Sequence, residues 1–129
     1  MSKLKTLLVA LLLSSIPCGY AAAPPDSKPS VSALEKASFA EGCFWKTQYV
    51  FSKVPGVVKT TVGYSGGTIA NPTYEQVCTH TTGHAESCLV EYDPAKTSYK
   101  KLLQVFFSSH NPTTKDRQGP DRGTQYRSV

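Results

Sequence analysis

The chain is short of several things, and each shortage narrows its role. Its 129 residues hold one methionine, one tryptophan and four cysteines. No two of those cysteines form a C-x-x-C pair, which argues against a thioredoxin-like or glutaredoxin-like dithiol enzyme. There is no arginine-rich stripe and no basic patch interleaved with aromatics, so nucleic-acid binding lacks its electrostatic footprint. The one pronounced apolar run, Leu7 to Leu13, is too short to span a bilayer as a permanent helix. No internal repeat occurs, and no Cys-to-His arrangement of a cysteine protease stands out.

What is present begins with a leader. Lys3 and Lys5 precede the apolar run, and small residues follow it to Ala21, the three-part layout of a secretory signal peptide. Residues 1–21 are therefore expected to direct export, to a periplasm or outside the cell. Pro17 before Cys18 fits lipidation of that cysteine poorly. Residues 22–36, rich in Pro, Ser and Ala, read as a flexible tether. Loss of the leader removes two lysines and no acid, so the net charge of +5 becomes +3. It also leaves Cys43, Cys78 and Cys88. An odd number in an exported protein implies a free thiol or a partner on another chain, with Cys78 and Cys88 able to pair and leave Cys43 over.

The remaining stretch, 37–129, is long enough for one domain. "KASFAEG" (36–42) alternates toward a glycine and predicts a short strand. From Cys43 the pattern turns helical, with Phe44, Tyr49, Val50 and Val54 recurring until Pro55-Gly56 stops it. "VVKTTVGYSGG" (57–67) predicts a strand and turn, "NPTYEQVCT" (71–79) one or two helical turns, and "HAESCLVEYDP" (84–94) a strand. "SYKKLLQVFFSSH" (98–110) predicts a helix capped by Ser98, with Leu102, Leu103, Phe106 and Phe107 on one face. Strand, helix, strand, strand, helix is most of an α/β ferredoxin-like split βαβ plait. Only "QYRSV" is left to begin the last strand, which is expected to be largely missing.

Five residues carry the first chemical signal, "EGCFW" at 41–45. A cysteine at a helix start faces unpaired N–H groups and the positive end of the dipole, so its thiolate is favoured. Gly42 leaves room beside the sulfur. Phe44 and Trp45 can make an apolar cage for a methyl or thioether group. Glu86 lies in a strand between Ala85 and Ser87, where partial burial would raise its pKa and make it a general acid near neutral pH. Tyr74 and Tyr126 follow turn signals and can present hydroxyls at a pocket rim. Cys78, His80, His84 and Cys88 invite a zinc reading, but their spacing matches no standard structural pattern.

"GCFW" at 42–45, "PGV" at 55–57, "GYSGG" at 63–67, "NPTYEQVC" at 71–78, "TGHAE" at 82–86, "YDP" at 92–94 and "GTQYRS" at 123–128 together resemble the A-type peptide methionine sulfoxide reductases. The resemblance covers residues 38–129. It implies that Cys43 attacks the sulfur of an S-configured methionine sulfoxide, releasing methionine and becoming a sulfenic acid. It further implies that Phe44 and Trp45 hold the substrate's methyl group, that Glu86 protonates the oxygen, and that Tyr74 and Tyr126 donate to it. Asp121 matches a further polar position of the family's site.

No metal and no bound organic cofactor is implied. Substrates would be oxidised proteins or free methionine-S-sulfoxide, thioredoxin or another thiol the external reductant, and the protein a monomer. Family members continue past "GTQYRS", where resolving cysteines usually sit, while this chain stops at Val129. The alternative is therefore a truncated, catalytically silent polypeptide of the same family that binds or only partly folds.

Overall fold

The computed structural model describes residues 33–129. The leader 1–21 and the tether up to residue 32 lie outside the described residues. The first strand, β1, runs Glu35–Phe39 and takes in Glu35 and Lys36, which the composition had put in the tether. The cause is pairing: Glu35 and Lys36 stand opposite Tyr92 and Glu91, and Lys36 reaches Glu91 at 3.5 Å.

The helix α1 (Phe44–Ser52) follows, then β2 (Val57–Ser65), a short α2 (Tyr74–Cys78), β3 (Ala85–Tyr92) and α3 (Tyr99–Ser109). The order across the sheet is β1-β3-β2, with β3 antiparallel to both neighbours. β1, α1 and β2 thus form a βαβ unit split by β3, the plait expected from the sequence. Beyond α3 come two-residue strands β4 (Arg117–Gln118) and β5 (Asp121–Arg122), and a 3₁₀ turn at Thr124–Tyr126.

One face of β3 makes the core. Side chains alternate along a strand, so Cys88, Val90 and Tyr92 point the same way and meet Ala37 and Phe39 of β1, Phe51 of α1, and Leu102 and Phe106 of α3. Phe39 stacks on Phe51 with ring centres 4.5 Å apart and leans on Phe106 at 5.5 Å. Two sequence expectations need correction. Tyr49 is not a core residue of α1 but two-thirds exposed, and the buried positions are Thr47 and Phe51. On α3, Leu102 and Phe106 are buried while Phe107 lies out in solvent, because a helix four residues apart repeats a face and one residue on does not.

The chain's last residues return to the start of the fold. Ala40 and Val129 exchange both backbone hydrogen bonds at 2.9 Å, and Glu41 bridges Ser128 in antiparallel fashion. The "QYRSV" segment therefore begins pairing beside β1, where the plait places its last strand. Among the described residues no helix is long and apolar enough to cross a membrane.

Candidate active site

Cys43 is the N-cap of α1 rather than a residue of its first turn, with φ −58° and ψ 122°. Its carbonyl accepts from the N–H groups of Lys46 and Thr47 and from the Thr47 hydroxyl, which anchors the cap. The Cys43 side chain makes no cap hydrogen bond, so its sulfur stays available at the positive end of the helix. Gly42 was expected to leave room beside the sulfur, but Gln118 fills that space, and the glycine instead allows the turn and this close packing. Its φ is 107°, and a Cβ there would stand 2.7 Å from Cβ of Gln118.

Glu86 is brought under this helix end by strand alternation. It shares a face with Cys88 and Val90, the face that α1 covers, and it is almost fully buried. Its Oε2 accepts from the N–H of Phe44 at 3.0 Å, so the acid lies one residue from the cysteine. Burial raises the Glu86 pKa above the ordinary carboxyl range, the Phe44 bond opposes this, and the nearby charge of Asp121 adds to the rise. A carboxyl so placed holds its proton further toward neutrality and can give it up to a substrate oxygen.

Phe44 packs edge-on against Trp45, with ring centres 5.7 Å apart, and tilts against Tyr64 at 5.6 Å. Phe44 is half-buried while Trp45 is 66% exposed, which makes a half-open aromatic corner. Tyr64 was not singled out from the sequence. It stands directly opposite Glu86 across the β2–β3 pairing, a position set by register. The "GYSGG" stretch was a signal for it, since that tyrosine precedes a turn leading away from the site.

The remaining tyrosines feel the charge of the same acid. Tyr74 opens α2, whose N-cap Thr73 forms a reciprocal capping box with Gln76. Its hydroxyl hydrogen-bonds Cys78, which together with the charges of Cys78, Tyr126 and Glu86 pushes its pKa up to about 12. Burial raises the Tyr126 pKa, with Glu86 and Asp121 adding to it, and burial followed by Glu86 does the same for Tyr64. All three phenols thus keep their protons as donors. Of the seven sequence-predicted residues, Phe44 bonds Glu86 and packs on Trp45, Cys43 adjoins Phe44 in the chain, and Tyr74, Tyr126 and Asp121 meet Glu86 only through their charges.

Two loops hold the arrangement. His84 takes the N–H of Gly67 on Nδ1 at 3.3 Å and turns Nε2 to the carbonyl of Ile69 at 2.8 Å. His80 Nδ1 meets the buried Gln125 at 2.7 Å, beside Tyr126. Cys88 is in the core with its thiol pKa pushed up to about 11 by burial. The four residues of the zinc reading therefore point to separate partners, and the three cysteines among the described residues are free thiols. Among the described residues no group of three His, Cys, Asp or Glu gathers as metal ligands would.

Known proteins show the same pattern. The sequence profile of the family described as peptide methionine sulfoxide reductase matches residues 35–129. The enzyme MsrA of Methanoculleus marisnigri is 59% identical over 97 residues, covering 75% of this chain and 59% of its own. That of Methanosarcina mazei is 64% identical over 96 residues, covering 74% of this chain and 46% of its own. Among solved structures, methionine sulfoxide reductase A of Corynebacterium diphtheriae superposes with a TM-score of 0.73 at 41% identity, over 79% of this chain and 47% of that one. Reduced Mxr1 of Saccharomyces cerevisiae gives 0.70 at 36% identity, over 74% and 57%. The chain thus spans about half the length of the curated relatives it matches. From Glu35 to Val129, it belongs to the peptide methionine sulfoxide reductase family.

Proposed function

We propose that this domain reduces methionine-S-sulfoxide, free or within oxidised proteins, to methionine. The observation that carries the reading is the hydrogen bond from the Phe44 N–H to Glu86, which sets a buried acid beside the cysteine at a helix start. A sulfoxide oxygen leaves sulfur only once protonated, so nucleophile and acid must reach the same S–O bond.

Balance fixes the sequence of events. The Cys43 thiolate supplies an electron pair to the substrate sulfur while Glu86 delivers a proton to the oxygen. As the adduct collapses, the S–O bond of the substrate breaks and the hydroxyl passes to the Cys43 sulfur. Methionine leaves two electrons richer, and Cys43 remains as sulfenic acid. Tyr74 and Tyr126 donate to the oxygen while charge builds on it. The corner formed by Phe44 and Trp45 holds the methyl group.

An external thiol then displaces hydroxide from the sulfenic sulfur as water, and a second thiol frees Cys43. Thioredoxin or a similar dithiol protein suits both steps. The domain acts as a monomer, without a bound cofactor. Its leader, read from the sequence alone, sends it out of the cytoplasm.

A single-turnover assay on residues 22–129 tests the reading, with S- and R-methionine sulfoxide supplied separately and no reductant. The expected result is one methionine per protein from the S form, and Cys43 heavier by one oxygen. Methionine from neither form, in a folded sample, would refute it.

A further inference from the structure

Glu41 stands two residues before Cys43 and is fully buried, a costly place for a carboxyl group. Its neighbours come from every side. Ser109 and His110 end α3, Lys46 lies on α1 and holds the Ser109 carbonyl at 2.8 Å, and Cys88 of β3 is close enough for its thiol to feel Glu41. Ser128 approaches from the returning chain end. Burial raises the Glu41 pKa, against the Ser109 hydrogen bond and the charges of His110 and Lys46.

The hydrogen bonds define the state of the cluster. Ser109 Oγ is 2.5 Å from Glu41 Oε2 and 3.0 Å from the Phe106 carbonyl. A hydroxyl has one proton and a carbonyl can only accept. The Phe106 carbonyl already takes the His110 Nδ1 proton, so Ser109 gives its own to Glu41 Oε2. Glu41 Oε1 has no partner. His110 Nδ1 lies 2.6 Å from the same Phe106 carbonyl, so this nitrogen carries a proton, and it is 3.4 Å from Glu41 Oε2. Nε2 is then free to meet Ser128 Oγ at 2.8 Å.

Glu41 and Ser128 face each other across the antiparallel bridge, and opposed residues present side chains to one face. The His110 ring stands on that face with one nitrogen toward each. One strand leads directly to Cys43, and the other leads back in two residues to Tyr126. We propose that Glu41, His110 and Ser128 form a buried clamp that sets Cys43 and Tyr126 at the spacing a sulfoxide requires. The inference deepens the proposed function and rests on it, assigning three positioning residues that touch no substrate.

The test combines kinetics with a readout that does not need turnover. In Ser128→Ala and His110→Phe, amide exchange at Ala40 and Val129 should rise at least about tenfold. With free methionine-S-sulfoxide and dithiothreitol, kcat should fall about tenfold or more, by more than KM changes, since small misplacements of donors are costly. Alkylation of Cys43 should stay within about twofold, because its cap is untouched.

Unchanged exchange in both variants would overturn the clamp, as would raised exchange with kcat unaltered. If His110→Phe does not fold, Ser128→Ala, which removes one hydroxyl, decides. A wild-type protein that releases no methionine refutes the proposed function, and the exchange data still decide the clamp.

Discussion

At the scale of single residues, Glu86 joins chemistry to stability. Burial raises its pKa, so the folded state prefers the protonated acid more than the unfolded chain does. That preference is fully present below the ordinary carboxyl pKa and is lost as pH rises through the folded value. An amide at position 86 can still accept from Phe44 and has no proton to lose. Glu86→Gln should therefore melt higher than wild type at pH 8, with the difference closing toward pH 4, while single-turnover methionine release falls by about 10²–10⁴. Thermal melts that differ equally at all pH values would contradict the raised pKa.

The cysteines give a second prediction at this scale. With its thiol at about 11 and no exposure, Cys88 should resist iodoacetamide at pH 8 until the chain is unfolded, while Cys43 and Cys78 react in the native protein. Mass mapping of the labelled sites reads this directly. Native labelling of Cys88 would show that the β3 face opens.

At the scale of elements, local sequence was a good guide wherever a local cause dominates. Ser98 caps α3 by accepting from the Lys101 N–H, as its position before the helix implied, whereas α1 ends at Ser52, short of the Pro55-Gly56 stop and with Val54 outside it. Glu86 and the "GCFW" cysteine were legible through their neighbours. Tyr64, Glu41 and His110 were not, because each acquires its role from a distant part of the chain. Tyr64 meets Glu86 only by the β2–β3 register, and His110 meets Glu41 only when α3 packs beside the end of β1. Phe107 misled for a related reason: four large apolar residues in a row of six imply a face wider than the core beneath it.

Two substitutions separate these levels. Ser98→Ala removes one cap and should cost about 1 kcal/mol with activity unchanged. Gly42→Ala must tolerate φ of 107° and a Cβ against Gln118, so it should cost about 1–3 kcal/mol from the backbone alone and also lower the rate at Cys43. Urea melts paired with single-turnover rates test both. A Gly42→Ala protein of full stability and rate would mean that the turn before Cys43 can relax without moving the sulfur.

At the scale of the whole molecule, the open side of β1 is the feature to explain. Among the described residues its outer edge meets chain only at Ala40 and Glu41, leaving the backbone from Glu35 to Phe39 as a template for another strand. Charge is the guard the sequence supplies there. Glu35 accepts from the Tyr92 hydroxyl at 2.5 Å, and Lys36 pairs with Glu91, which also meets Lys59 at 3.7 Å. A second copy pairing along this edge would set like charges against each other in any register that brings Lys36 near Lys36. Lys36→Val removes that penalty and adds a β-branched residue that favours pairing. Wild type should therefore sediment as a monomer from low to high micromolar concentration, while Lys36→Val assembles as concentration rises and raised salt makes the wild type follow it part of the way. If the variant stays monomeric, the edge is protected by its shortness and the site depends on no charge at that end of the fold. If wild type assembles as readily, the monomeric state proposed above is wrong, and substrate access at Cys43 must be considered in the assembled form.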